Sequence, residues 1–574
     1  MESRIHLGAA DYLVIAGYCL LVLWIGLWFR KRLSTVDDYF AGGHQVPWWL
    51  AGISHYMSSF SAFSFIAYTQ IAYLYGFTAV TLFWASVPAC IGGGLLFASR
   101  WRRARVVTPI EFLKQRYSGT LQQLCAWAGL PVKLFDDALK LFATGLFFSV
   151  ICGFKLLWSI VLCGALMICY SFFGGLWALV VTDYVQFLMK MLAIVLLVPL
   201  AFHAGGGVHL GLKHLPHGFL RPINGPYGWT YIAGFTCVMF LSYNASWALA
   251  QKYYSVRDEK DASKAAYLSA ALNLLGAPLM ILPGILARQF LPDLTASGRS
   301  SDAYVLLLVR LLPEGMIGII LSAMLSATMA AVSSDFNAIA SVLTQDIYQR
   351  LINPNASPRR LFNTGRVFTV VLGTLTTGLA LWIVYGHRES LFNLMVTVFG
   401  IFLAPTLLPI LAALVTKRVS AAGAITGFCT GLASGLIMLM VKTYWRAPGK
   451  MDGGSFEFEG IALLTNIGMT LAGLVLGSAF GARGEDESAR ADEFDKKLHK
   501  PVLSSEHTDA SSSPMGPILT ISTGTVAVLM AVAGAISHLS FARWMDEGAA
   551  LFFLLISATL FVVQRRGLSR IVST

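Results

Sequence analysis

Apolar residues along this chain gather in blocks separated by short polar or basic connections. A bilayer core about 30 Å thick needs roughly 20 apolar residues per helix. By that measure about fifteen helices are predicted, near 11–29, 47–75, 77–99, 120–152, 156–173, 175–203, 228–248, 263–290, 304–348, 362–385, 389–416, 420–443, 459–481, 516–537 and 548–564. Several exceed one crossing and must tilt, break or run on beyond the membrane. The strands of an outer-membrane barrel would alternate apolar and polar residues over about ten positions, and no such pattern occurs. The expected fold is all-α and membrane-embedded.

The polar positions inside those blocks are fewer and more telling, because each carries a desolvation cost that a partner has to offset. In the second block Ser54, Ser58, Ser59, Ser61 and Ser64 fall within eleven residues. Serine can satisfy freed backbone groups, so the run is compatible with a helix broken near the midplane. Unwound carbonyls there would be free to coordinate a cation. Small residues permitting close helix contact are the alternative. The block at 228–248 repeats the theme with Ser242-Tyr243-Asn244-Ala245-Ser246-Trp247, as an inverted-repeat transporter with one broken helix per half requires.

Asp183 is a lone intramembrane carboxylate and a functional candidate on that ground. The segment 304–348 spaces Ser326, Ala330, Ser333, Ser334, Asn337 and Ser341 by three and four residues, along one helical face. Hydroxyls with one carboxylate suit a hard monovalent cation such as sodium. A tight helix seam, with Asp183 satisfied by neighbours, is the other reading. Lys133, Asp136, Asp137 and Lys140 share the same spacing and predict an intrahelical ion-pair ladder at the cytoplasmic end.

Composition narrows the classes. The 574 residues are 56% hydrophobic and only 13% charged, against about 25% charged in soluble domains. That excludes a secreted disulfide scaffold, a cytosolic enzyme and a disordered hub. The net charge of +12 follows topology. With the N-terminus outside, inner connections hold Arg30, Lys31 and Arg32; Arg100, Arg102, Arg103 and Arg105; Lys252, Arg257 and Lys260; Arg359 and Arg360; Lys417 and Arg418; and Arg565 and Arg566. Outer ones hold fewer: Lys155, Lys213, Arg221, Arg299, Arg388 and Arg446. This is the inside-positive bias of a multi-pass membrane protein, so nucleic acid is not an expected partner. The bias and the lack of a cleavable signal fit a bacterial inner membrane.

The eight cysteines show neither disulfide nor metal spacing. His203, His209, His214 and His217 lie in or near a glycine-rich outer loop, too irregularly spaced to argue for a metal centre. Motifs of metalloproteases, phosphate-binding loops and serine hydrolases are absent. The stretch from Gly481 to Ser513 is rich in Glu, Asp, Lys and Ser; its composition predicts a flexible cytoplasmic linker.

Several stretches together resemble the sodium/solute symporter family, which includes the sodium–glucose cotransporters and the proline and sialic acid symporters. They are Asp38-Tyr39-Phe40-Ala41-Gly42-Gly43 with Trp48-Trp49-Leu50-Ala51-Gly52-Ile53-Ser54; Thr108-Pro109-Ile110-Glu111-Phe112 through Arg116-Tyr117; and Ser171-Phe172-Phe173-Gly174-Gly175 leading to Thr182-Asp183. Ala250-Gln251-Lys252 with Lys260-Asp261-Ala262, Leu282-Pro283-Gly284-Ile285, and Asn337 through Thr344 to Asp346-Ile347-Tyr348 complete the order. The resemblance covers roughly 10–480.

It implies a LeuT-like core of two inverted five-helix repeats, at 47–203 and 228–416. An extra N-terminal helix and loop occupy 1–46, two peripheral helices 420–481, the linker 482–515, and two further membrane helices 516–574. Carried over position by position, the family's usual sodium site uses the backbone carbonyls of Met57, Phe60 and Ala327. Its two serine hydroxyls fall on Ala330 and Ala331, a departure that removes two oxygen ligands. A second ion site, found in some members, matches Asp183, Ser333 and Ser334.

The solute-binding positions implied are Ser64, Phe83, Ser86, Met239, Ser242, Tyr243 and Asn273. Several of these replace hydrogen-bonding groups of the sugar carriers, which argues against a hexose site. The function expected is sodium-coupled symport of a small organic solute by alternating access, with sodium as the coupling ion and no other cofactor. A proton-coupled or uncoupled carrier, or a transporter-like solute sensor, are the competing readings. An enzyme is not expected.

Overall fold

The computed structural model describes residues 8–30, 36–204, 215–296, 299–311, 316–386, 391–444, 453–481, 483–503, 515–536 and 540–572. Lys31, Arg32, Lys213, Arg388, Arg446, His209 and His214 therefore lie outside the described residues. The chain is a bundle of α1 (Ala9–Arg30), α2 (Trp48–Ser58), α3 (Ala62–Tyr75), α4 (Thr78–Arg103), α5 (Gly119–Cys152) and α6 (Leu156–Ala204). There follow α7 (Trp229–Ala245), α8 (Trp247–Tyr254), α9 (Glu259–Phe290), α10 (Met316–Ser341), α11 (Pro358–Gly386) and α12 (Leu391–Val415). Last come α13 (Ala421–Tyr444), α14 (Gly453–Phe480), α15 (Glu485–His499), α16 (Met515–Ile536) and α17 (Ser540–Val572). Among the described residues there is no strand, only an isolated bridge between Val46 and Val256.

Eight described helices are long and apolar enough to cross a membrane, or nine if a bent pair counts as one span. About fifteen were expected. The difference has identifiable causes. The second block is split into α2 and α3, each shorter than a crossing. Helix α5 carries four charged residues within one stretch. Helix α6 holds two predicted blocks joined at Gly175, whose φ of 56° and ψ of −177° are open essentially to glycine alone.

Large apolar side chains such as Leu20, Leu95, Trp158 and Leu275 are exposed, as faces toward lipid require. The centre is α10, buried along its whole crossing and flanked by α6, α1, α5, α2 and α11. Connections predicted to share a side of the membrane touch one another. Val46 N–H donates to Ser255 O (3.1 Å) and Arg102 Nε to Val256 O (2.7 Å). At the other end Phe77 N–H donates to Phe219 O (2.7 Å) and Tyr73 Oη to Leu291 O (2.5 Å).

Within the segment 304–348 the described residues form Ala303–Leu311 and α10, the latter running on as a π-helical stretch, Val342–Ile352. One expectation is corrected. The hydrophilic stretch expected as a flexible linker contains α15. Its Ala491, Phe494 and Leu498 are buried, on one face at intervals of three and four. Phe494 stacks on Phe112 at 5.5 Å between ring centroids. Average composition concealed that stripe.

Candidate functional site

Two interruptions organise the centre. Helix α2 ends at Ser58, with Ser59 as its C-cap, and α3 starts after the extended residue Ser61 (φ −156°, ψ 174°). At 1.5 Å per residue the two halves are about 16 and 21 Å long, so the break falls near mid-membrane. The freed backbone is satisfied locally. Ala62 N–H donates to Thr328 Oγ1 (2.8 Å), Phe60 N–H to Met57 O (3.0 Å), and Ser59 Oγ to Tyr56 O (2.7 Å). The second interruption is Ser246 (φ −61°, ψ 134°), where α7 and α8 meet at 49°. Trp101 Nε1 donates to Asn244 O (2.9 Å), and Asn244 Nδ2 donates to Ala89 O (3.0 Å).

Between the breaks lies a cavity of about 100 Å³. Serines 58, 59, 61 and 64 line it from the first break, and Ser242, Tyr243 and Ser246 from the second. Phe83 and Ser86 of α4 and Met239 of α7 close it. Six of the seven expected solute positions are thus gathered around one space. Asn273 is not in the lining: it is buried behind, its Nδ2 donating to Ser269 O (2.8 Å), and Ser269 Oγ shares a hydrogen bond of 2.9 Å with His55 Nδ1.

The opposite wall is ionic. Lys133, Asp136 and Lys140 of α5 line it together with Asp335 of α10. Asp335 binds Lys133 at 2.8 Å and Lys140 at 2.9 Å, and Lys140 also reaches Asp136 (2.9 Å) and Asp137 (3.1 Å). The expected intrahelical ladder is present, but it extends to α10 through Asp335 and lies on the central cavity, where the cytoplasmic end was expected. Spacing along α5 revealed four of its charges; the fifth comes from another helix.

Asp183 is fully buried on α6. One carboxylate oxygen accepts from Ser54 Oγ of α2, while Oδ1 has no hydrogen-bond partner. Tyr170 lies within reach of both Asp183 and Ser333. Ser333 Oγ donates back to Met329 O (2.5 Å), and Ser334 Oγ accepts from Ser58 Oγ (3.1 Å) and Lys252 Nζ (3.3 Å). Lys252 is itself fully buried and within electrostatic range of Asp183. Ala330 and Ala331 are buried methyl groups on the same helix.

Three motif fragments far apart in sequence also meet. Gln251 Nε2 donates to Phe40 O (2.6 Å) and Asn337 Oδ1 (2.9 Å), and Asn337 Nδ2 to Tyr39 O (3.3 Å). Nearby in kind, Asp346 accepts from Thr108 Oγ1 (2.6 Å) and Gln122 Nε2 (2.5 Å). The residues missed in the sequence were Asp335, Lys252, Thr328 and Lys190. Asp335 adjoins two serines singled out in the sequence, and Lys252 figures there as an inner-connection charge and a motif residue, with no role at the site.

The "Sodium:solute symporter family" description matches residues 39–431. Sodium/glucose cotransporter 2 of Rattus norvegicus is 27% identical over 485 residues, covering 76% of this chain and 72% of its own. The sodium/sialic acid symporter SiaT of Proteus mirabilis (strain HI4320) is 22% identical, over 82% of this chain and 96% of its own. A substrate-bound, outward-open Na+-coupled sialic acid symporter superimposes with a TM-score of 0.70 at 22% identity, covering 83% of this chain and 99% of that one. A nucleobase-cation-symport-1 family transporter in a closed conformation gives 0.51 at 14% identity, over 79% of this chain and 98% of its own. With the match running through both breaks and the Asp183 region, the chain belongs to the sodium:solute symporter family and is a sodium-coupled symporter of a small organic solute.

Proposed function

We propose that the coupling sodium binds at Asp183 Oδ1, with the hydroxyls of Ser333 and Ser334 completing its oxygen shell, and that the solute occupies the cavity between the breaks. The observation that carries this is the buried carboxylate oxygen without a partner, since an orphaned acceptor at membrane depth is costly unless a cation visits it. The carbonyls of Met57, Phe60 and Ala327 form a second, poorer cradle, lacking hydroxyls at Ala330 and Ala331.

The repeats at 47–203 and 228–416 move against each other about this centre. A cavity of about 100 Å³ is below the roughly 300 Å³ of a typical small-molecule site, so its walls part to load solute. Sodium assists by binding the solute-competent state preferentially. Ser54 of α2 and Ser333 of α10 both attend the Asp183 region, so an ion there ties the first half-helix to the central helix. The hydroxyls and the ionic wall suit a solute with an ionised or strongly polar part; Phe63, Phe83 and Phe399 suit an apolar part. Relatives are named for glucose, mannose and sialic acid. The wall's two lysines are already paired with three aspartates, so a zwitterionic or otherwise dipolar solute fits it better than an anion or a neutral hexose.

Melting of the purified protein in NaCl against KCl at equal ionic strength tests the ion site. Binding to the folded state stabilises it by RT ln(1 + [L]/Kd), about 2.7 kcal/mol at a hundredfold excess. A sodium-specific rise in wild type that disappears in Asp183→Ala is expected. A rise that survives the substitution would move the ion elsewhere.

A further inference from the structure

Lys190 stands on α6 seven residues beyond Asp183, two turns along the same face. It is fully buried, and its Nζ has no hydrogen-bond partner. Two aromatic faces meet it: Nζ is 2.9 Å from the ring centroid of Phe60 and 4.0 Å from that of Tyr56. Ring faces attract an ammonium electrostatically. A lysine held unpaired at membrane depth is nonetheless expensive and is a functional candidate by default.

Its position suggests what it does. Tyr56 lies in the last turn of α2 and Phe60 in the unwound run that follows. The C-terminal end of a half-helix carries partial negative charge and favours a cation. Across from it, the hydrogen bonds from Ser58 to Ser334 and from Ala62 to Thr328 bracket Phe60 and hold residues 328–334 of α10 against the break. Ala330 and Ala331 fall inside that stretch and offer no oxygen. The cradle is thus short of ligands for a free ion, and the Lys190 amine lies against the ring of Phe60, one of its residues.

We propose that the Lys190 ammonium is a tethered cation occupying the end of the first half-helix in place of a sodium ion, so that one sodium, not two, accompanies each solute. The count of one rests on sodium binding at Asp183; the role of Lys190 does not.

Saturation binding of radioactive sodium alone to the purified full-length protein tests this. Three forms are compared: wild type, Asp183→Asn, and the triple substitution Lys190→Met, Ala330→Ser, Ala331→Ser. Wild type is expected to bind one sodium, Asp183→Asn none and the triple variant two, with one site surviving when Asp183→Asn is added to it. Two sites in wild type would overturn the proposal without any variant needing to fold. So would a cooperatively melting triple variant that binds no more sodium than wild type. A wild type that binds none, beside a triple variant that gains one, would sink the Asp183 site and uphold Lys190.

Discussion

Asp335 shows how much one side chain can hold at this site. It faces two lysines of α5 at 2.8 and 2.9 Å while only 2% exposed. Removing one partner from a buried ionic cluster typically costs roughly 3–5 kcal/mol, because the remaining charges stay buried and uncompensated. Asp335→Asn is therefore expected to lower the melting point in detergent markedly, while Asp335→Asn with Lys140→Met recovers part of it. A single variant as stable as wild type would show the cluster is solvated. The residue was hard to find in advance for a geometric reason. Successive residues on a helix point about 100° apart, so Ser333, Ser334 and Asp335 serve three directions: back along α10, toward α2 and Lys252, and toward α5. Sequence shows their adjacency and not which neighbour each meets. Asp183 was legible because a lone carboxylate in an apolar block has no local alternative. Lys190, in a comparable block, was equally visible and passed over, since its partners are aromatic rings brought in by folding.

At the level of elements, the breaks were written plainly in the chain. Serine runs at 58–61 and 242–246 interrupt apolar blocks, and both interruptions exist. Helix α15 was obscured because its three buried apolar residues are diluted by acidic and basic ones. It packs on the Glu111–Arg116 helix through Phe494, and Lys417 reaches across to Asp492 at 2.9 Å. Phe494→Ala removes a buried aromatic, a change that costs about 3 kcal/mol or more in a core. Faster protease cleavage within 483–503 is expected, with melting of the membrane bundle little altered; unchanged cleavage would deny the docking. The ion pair acts in the same sense. Lys417 holds the Asp492 carboxyl below its ordinary value, so its contribution is present at neutral pH and lost as pH falls through that lowered value. Both groups are exposed, so screening keeps the effect small, and acid should loosen α15 only modestly.

For the whole molecule, the expected alternation of inner and outer connections can be checked against contacts that never entered the prediction. Residues 46, 102, 103, 255–257, 259 and 502 meet at one end through hydrogen bonds. Residues 73, 75, 77, 219, 224, 291 and 292 meet at the other. This two-ended pattern was readable because each crossing reverses direction, so charge bias recurs loop after loop. Which end faces the cytoplasm depends on the basic residues at the first end, and the inside-positive rule assigns that end inward. Lys155 and Asp486 are both exposed and fall on opposite sides in this assignment. The native cysteines are unpaired, and the exposed ones lie on membrane helices, where a charged maleimide does not reach. In intact cells such a reagent is therefore expected to label Lys155→Cys but not Asp486→Cys, which reacts only after the membrane is opened. The reverse result would turn the molecule over, placing α15 outside and making the proposed direction of sodium entry untenable.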